Sequence, residues 1–188
     1  EAVEALMEAL VTVGIAMSYV GNSRPASGSE HHLSHYFEIT GILENKDYYS
    51  HGIDVMYSTA ITAKIRENII NSCPSKYSFD RDKWISDIKR IYLDSADEVM
   101  SLQDKMGWYA VDERAVIEQK WDEIINILNQ GPSFSECTDM LSEIGLSYND
   151  FIEFYGIKKI KDAVLYAKDL KDRYTVLWLN YKYFKGEF

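Results

Sequence analysis

Cysteine, proline, glycine and positive charge are all scarce in this chain, and each shortage removes a class of protein. Two cysteines, Cys73 and Cys137, among 188 residues cannot build a disulfide framework, and they stand at no metal or redox spacing. They read as ordinary buried or half-buried thiols in a reducing cytoplasm. Three prolines and ten glycines leave no Ser/Gly/Pro-rich linker, and 46% of the residues are hydrophobic. Residues 1–188 are therefore expected to form one domain around a single core. Basic residues number 20 against 30 acidic ones, for a formal charge of −10. With no basic stripe to offset it, an extended contact with nucleic acid or an anionic membrane is not expected, because phosphates would be repelled. A small anion remains possible where a pocket supplies a cation or a metal. Long apolar runs are missing too: Ala9 to Val20 is about 12 residues, interrupted by Thr12, Gly14 and Ser18, against the roughly 20 that a membrane span needs. A soluble, cytoplasmic protein without a membrane span is expected. The sequence opens on Glu1 inside an apolar periodicity, so the natural chain is expected to start further upstream.

What is present is helical periodicity. Val3, Leu6, Met7, Leu10 and Met17 recur at helical spacing and predict a helix over residues 2–20. The turn-rich stretch from Gly21 to Ser29 breaks it. A second helix is expected over 29–42, capped by Ser27 or Ser29, and a third over 51–71 after a short loop. Asp80 should open a long fourth helix with Trp84, Ile88, Tyr92 and Val99 on one face. Asp112 should open a fifth through Val116, Trp121, Ile124 and Leu128. Past the break at Gly131-Pro132, short helices are expected near 133–144, 147–155, 157–168 and 169–183. No period-2 alternation with hairpin turns interrupts this pattern, so the fold is all-α. Met7, Met17, Trp84, Trp121 and Trp178 read as core or interface residues.

All four histidines, His31, His32, His35 and His51, lie between positions 31 and 51. His31 and His35 are four apart, so on a helix their imidazoles face the same side. A helix–loop–helix hairpin would bring His51 back over that pair. Such a group can hold zinc, iron or nickel. Two histidines at i, i+4 alone more often mark a polar helix face; the added His51 and the absence of histidine elsewhere favour a site. A zincin is excluded because His32, not Glu, follows His31, and no His-Asp dipeptide exists for a phosphohydrolase of that type. Glu30 and His32 flank the pair and suit either the surface or a place behind the ligands. Before the helix, Asn22, Ser23, Arg24, Ser27 and Ser29 offer donors at a helix N-terminus, which suits a phosphate or carboxylate; a plain capping loop is the competing interpretation.

The run Gly14-Ile15-Ala16-Met17-Ser18, followed by Gly21-Asn22-Ser23-Arg24-Pro25-Ala26-Ser27-Gly28-Ser29-Glu30-His31-His32-Leu33-Ser34-His35, resembles glycerol-1-phosphate dehydrogenases. That family belongs with the metal-dependent polyol dehydrogenases, iron-containing alcohol dehydrogenases and dehydroquinate synthases. Asp172-Arg173-Tyr174-Thr175-Val176-Leu177 also looks like this subfamily's C-terminal segment. The resemblance implies the helical C-terminal domain of the dehydroquinate synthase-like fold, with the N-terminal NAD(P)-binding domain absent from these 188 residues. It implies a divalent metal (zinc, nickel or iron) on His31 and His51, with an acidic ligand lying upstream. It implies His35 beside substrate in proton handling, and Asn22, Ser23, Arg24 and Ser27 as substrate contacts. The implied reaction is reduction of dihydroxyacetone phosphate to sn-glycerol 1-phosphate with NADH or NADPH. A homo-oligomer, a dimer, is the implied assembly, and the fragment alone is expected to be inactive. One departure stands out. The family reads His-Gly-Glu where this chain has His51-Gly52-Ile53-Asp54, so either Asp54 replaces that glutamate one residue late or the position is tolerant. Two alternatives stay open: a related glycerol dehydrogenase or dehydroquinate synthase-like enzyme, and a non-catalytic helical module that binds a partner.

Overall fold

The structure, a computed structural model, describes residues 1–184 and Gly186. Every regular element among them is helical. Helix α1 (Ala2–Val20) ends where Gly21 turns left-handed, at φ 70°, and bonds back to Met17. A single 3-10 turn, Arg24–Ala26, leads to α2 (Ser29–Glu44). Asn45, at φ 51°, closes α2, and after a five-residue stretch α3 (His51–Ile70) runs back along it. These first three helices match the sequence expectation to within two residues.

The α2–α3 hairpin is the centre of the molecule. Helix α3 packs against α8 (Phe134–Glu143) and α11 (Val176–Tyr183), while α2 packs against α10 (Ile157–Tyr166) and the 3-10 turn Ala167–Leu170. Leu33 and Phe37 from α2 and Ile61 and Ile65 from α3 are fully buried. Phe37 stacks on Tyr155, with ring centroids 4.3 Å apart, and Tyr57 stacks on Phe151 at 4.6 Å. Both partners come from α9 (Tyr148–Tyr155).

Three sequence expectations fail, each for a local reason. The long fourth helix is two, α4 (Arg81–Tyr92) and α5 (Ala96–Met106), because Leu93 adopts φ 45° between them. The apolar face persists through the break, with Trp84, Ile88, Tyr92 and Val99 all buried. The fifth helix is likewise split, at Lys120, into α6 (Arg114–Gln119) and α7 (Trp121–Leu128), and Val116 is exposed. Residues 171–175 are not helical; Lys171 is extended, and α11 starts only at Val176. The cause is upstream. Lys168 and Asp169 are both fully buried and paired at 2.9 Å, with the Tyr109 hydroxyl donating to Asp169 and the Gln103 side chain bonding the Asp169 carbonyl. A buried ion pair must be satisfied on all sides, and this one pins the turn and releases the chain beyond it in a fixed direction.

Helix α1 behaves unlike the rest. None of its residues is buried, and Met7, expected in the core, is more than half exposed. The 12-residue count also understates it. The helix has 19 residues with Glu4 and Glu8 as its charged side chains, and by length and composition alone it is long and apolar enough to cross a membrane. Of the thiols, Cys137 is buried as expected and Cys73 is exposed.

Candidate active site

The hairpin brings together three of the four histidines. The His51 ring lies 5.4 Å from that of His31 and 5.2 Å from that of His35, centroid to centroid. His31 and His35 project from successive turns of α2, and His51 is the first residue of α3.

Neighbours fix which nitrogen of each ring is free. The Glu30 carboxylate sits 3.0 Å from Nδ1 of His31. Burial opposes ionisation of Glu30, but bonds from His31 and from the backbone amides of Glu30 and Gly28 hold its carboxyl below the usual range. An ionised Glu30 accepts from Nδ1–H, which leaves Nε2 of His31 with its lone pair. At His51 the Ser34 hydroxyl lies 3.1 Å from Nδ1 and 3.3 Å from the His51 carbonyl. With the single hydroxyl hydrogen on the carbonyl, the oxygen can accept Nδ1–H, the tautomer that leaves Nε2 open. Glu38 adds a carboxylate 3.8 Å from the same Nδ1. A carboxylate or hydroxyl behind each imidazole is the usual way a metal-ligating histidine is oriented. The donor set therefore fits a divalent ion in part. His31 and His51 offer two nitrogens, and among the described residues no group of three His, Cys, Asp or Glu is gathered for a metal.

The residues flanking these histidines take different places from those expected. His32 is not on the surface. It is fully buried with neither ring nitrogen hydrogen-bonded, and burial, with Lys171 and Arg173 nearby, depresses its pKa to about 3. His35 is held to about 4 by burial, then by Lys171, His51, His31 and Arg173. Asp54 does not stand in for the family's glutamate beside His51. It is buried and accepts the Tyr155 hydroxyl at 2.9 and 3.0 Å, and Ser34 and Glu38 occupy the His51 side.

The loop before α2 is capped differently from the prediction. Neither Ser27 nor Ser29 caps the helix; Gly28 is the N-cap, and the Glu30 carboxylate accepts its amide at 2.8 Å. Asn22 is occupied locally, bonding the Val20 carbonyl and the Arg24 amide. Arg24 is exposed and pairs with Asp172 at 3.4 Å. Ser27 accepts from Lys171 at 3.2 Å, and Arg173 bonds the Ser27 carbonyl at 3.0 Å and the Ser23 hydroxyl at 3.2 Å. Lys171 and Arg173, about 140 positions beyond the histidines in sequence, are the cations that act electrostatically on His32 and His35. Sequence reading missed them, although the family-like segment beginning at Asp172 includes Arg173.

Parts of the chain are similar in sequence to known proteins. A glycerol-1-phosphate dehydrogenase (NAD(P)+) of Geobacillus thermodenitrificans is 37% identical over 103 residues, 52% of this chain and 25% of the relative. One from Bacillus licheniformis is 40% identical over 72 residues, 38% of this chain and 18% of the relative. One from the archaeon Korarchaeum cryptofilum is 41% identical over 66 residues, 35% of this chain and 21% of the relative. The matched stretches thus span a quarter or less of the length of these curated relatives. No family model and no solved structure matches the chain. Over these stretches the chain is repeatedly similar, at about two residues in five, to proteins of one description, glycerol-1-phosphate dehydrogenases.

Proposed function

We propose that this chain supplies the helical share of the active site of a metal-dependent, NAD(P)-linked dehydrogenase that interconverts dihydroxyacetone phosphate and sn-glycerol 1-phosphate. The observation that carries the proposal is the pair His31 and His51, with rings 5.4 Å apart and Nδ1 of each within hydrogen-bond distance of a side-chain oxygen; in the proposal Nε2 of each faces the ligand. In the proposed site both nitrogens hold a zinc, nickel or iron ion, which when bound supplies Lewis acidity toward the substrate oxygen. The remaining ligand and the nicotinamide cofactor are assigned to a nucleotide-binding domain outside these 188 residues.

The chain's own side chains then hold and position. Glu30 and Ser34 fix the two imidazoles. His35 lies beside His51 and is a neutral imidazole near pH 7; in the proposal it contacts the substrate or relays a proton. Ser23 and Ser27 present the loop toward substrate, with Asn22 and Arg24 shaping it. A cytoplasmic setting and a homodimer are part of the same proposal.

The test uses the full-length protein. NAD(P)H oxidation with dihydroxyacetone phosphate is followed before and after metal stripping, with His51→Ala alongside. Metal-dependent turnover that the variant loses is the expected result. Activity on glycerol or another ketone alone would keep the site and move the substrate. Absence of both metal binding and turnover would overturn the proposal and favour the helical partner-binding module, a reading to which the exposed apolar surface of α1 gives some weight. The 188 residues alone are expected to be inactive.

A further inference from the structure

The geometry points to Lys171 and Arg173, rather than Arg24, as the residues that recognise the phosphate of the substrate. This rests on the dehydrogenase reading for the identity of the ligand, but not for the existence of the anion site.

The first support is the pairing of the three cations. Arg24 is exposed and held by a carboxylate, Asp172. Lys171 and Arg173 are half-buried and bond neutral oxygens of the 23–27 loop. Arg173 reaches a carboxylate only at 3.9 Å, again Asp172, and its Nε is sealed from water without an acceptor. A guanidinium whose bonds go only to neutral oxygens keeps its charge uncompensated, and a bound anion would compensate it. The second support is rigidity. Both cations follow directly on the turn fixed by the buried Lys168–Asp169 pair, so they are held against the loop in advance. The third is location. Lys171 and Arg173 both bond Ser27, the residue directly before the Gly28 N-cap of the histidine-bearing α2. Burial and Arg173 also lower the Lys171 pKa, a repulsion that a bound dianion would relieve. An anionic ligand also needs such a local device in a chain with formal charge −10.

Two measurements test this, on the full-length protein carrying Lys171→Gln, Arg173→Gln or both. The first is direct binding of inorganic phosphate and of glycerol 1-phosphate by calorimetry, which requires no turnover. Each single variant should weaken binding about tenfold, as expected for a lost charge-assisted hydrogen bond. The second compares dihydroxyacetone phosphate with unphosphorylated dihydroxyacetone. The double variant should lose about a hundredfold in kcat/KM on the phosphorylated ketone, mainly through KM, and change less than about threefold on the other. Equal losses on both ketones, or phosphate binding unchanged in the variants, would overturn the proposal. If the wild type reduces neither ketone yet loses phosphate binding in the variants, the dehydrogenase reading fails and the anion site stands.

Discussion

Helices α1 and α2 are neighbours in sequence and opposites in structure. Helix α1 is much the more apolar, yet it buries nothing, and Val3, Leu6, Leu10 and Ile15 are all more than half exposed. Helix α2 mixes three histidines, three glutamates and two serines into its length, yet it buries eight residues, among them His32, Ser34 and Thr40. Apolar periodicity therefore decides that a segment is helical, but not that it is core; that depends on whether another element supplies the facing surface. For α2 the facing surface is α3, α10 and the turn at Ala167–Leu170. Polar residues that such packing encloses are costly without partners; His32 finds none, whereas Glu30 on His31 and Ser34 on His51 are the pairings on which the proposed site rests.

The largest effect expected from this contrast is in the hairpin core. Phe37 is fully buried and stacked on Tyr155 at 4.3 Å. Phe37→Ala should cost ~3–5 kcal/mol through lost burial and the cavity left behind. Urea unfolding should show a lower midpoint with an unchanged slope. A loss under ~1 kcal/mol would mean that the hairpin is not the core.

The next prediction concerns pH. The Asp54 pKa is raised to about 7 by burial, against the Tyr155 hydrogen bond, which favours the charged form. Above the ordinary value of 3.8 the unfolded chain releases a proton that the folded chain keeps. This group therefore makes stability fall as pH rises from about 4 to 7, by ~1.4 kcal/mol per unit, and adds no slope above that. His32 opposes it. With its folded pKa at about 3 against the usual 6.5, it makes stability rise with pH over that window. Asp54→Asn keeps an oxygen for Tyr155 and removes the first effect. Urea midpoints should then climb more steeply from pH 4.5 to 6.5 than in the wild type, and stay flat to pH 7.5. Parallel wild-type and variant profiles would show that Asp54 is ionised in the fold.

Much of the architecture was legible because its punctuation is chemical. Gly21, the serines and glycine before α2, and Asn45 mark ends that the structure respects. The break at Leu93 was not legible, because leucine at φ 45° has no turn signature and the apolar face continues through it. Residues 171–175 were misread for a different reason. Lys168 and Asp169 look like solvated helix charges, and only the folded surroundings reveal them as a buried pair. The histidine cluster was legible because its spacing is local and one hairpin closes it. Lys171 and Arg173 were not, since their contacts with Ser27 span 144 and 146 positions. Ser34 passed unnoticed as one more polar residue on a helix.

A smaller effect separates a positioning residue from a ligand. Glu30→Gln preserves shape and can still bond His31, but gives up the charge that fixes its tautomer. Divalent-metal affinity of the full-length protein, read by competition with a chromophoric chelator, should weaken about 10–100-fold, the usual cost of losing a partner behind a metal-ligating histidine. His31→Ala should abolish binding altogether. Equal effects of the two substitutions would make Glu30 a ligand in its own right.

The smallest expected effect closes the comparison where it began. Leu10 is 58% exposed on α1. Replacing it with alanine removes side-chain carbon already in water and raises helix propensity slightly. In the 188-residue chain, Leu10→Ala should therefore change unfolding stability by no more than ~0.5 kcal/mol in either direction, while the buried Leu33→Ala on α2 should cost ~2–5 kcal/mol. Similar losses for both leucines in urea unfolding would show that α1 docks on an apolar surface in solution, and the contrast between the two helices would then disappear. A near-zero value for Leu10 leaves α1 as an apolar helix whose stability within this chain is local, set by its own backbone bonds and its Gly21 cap.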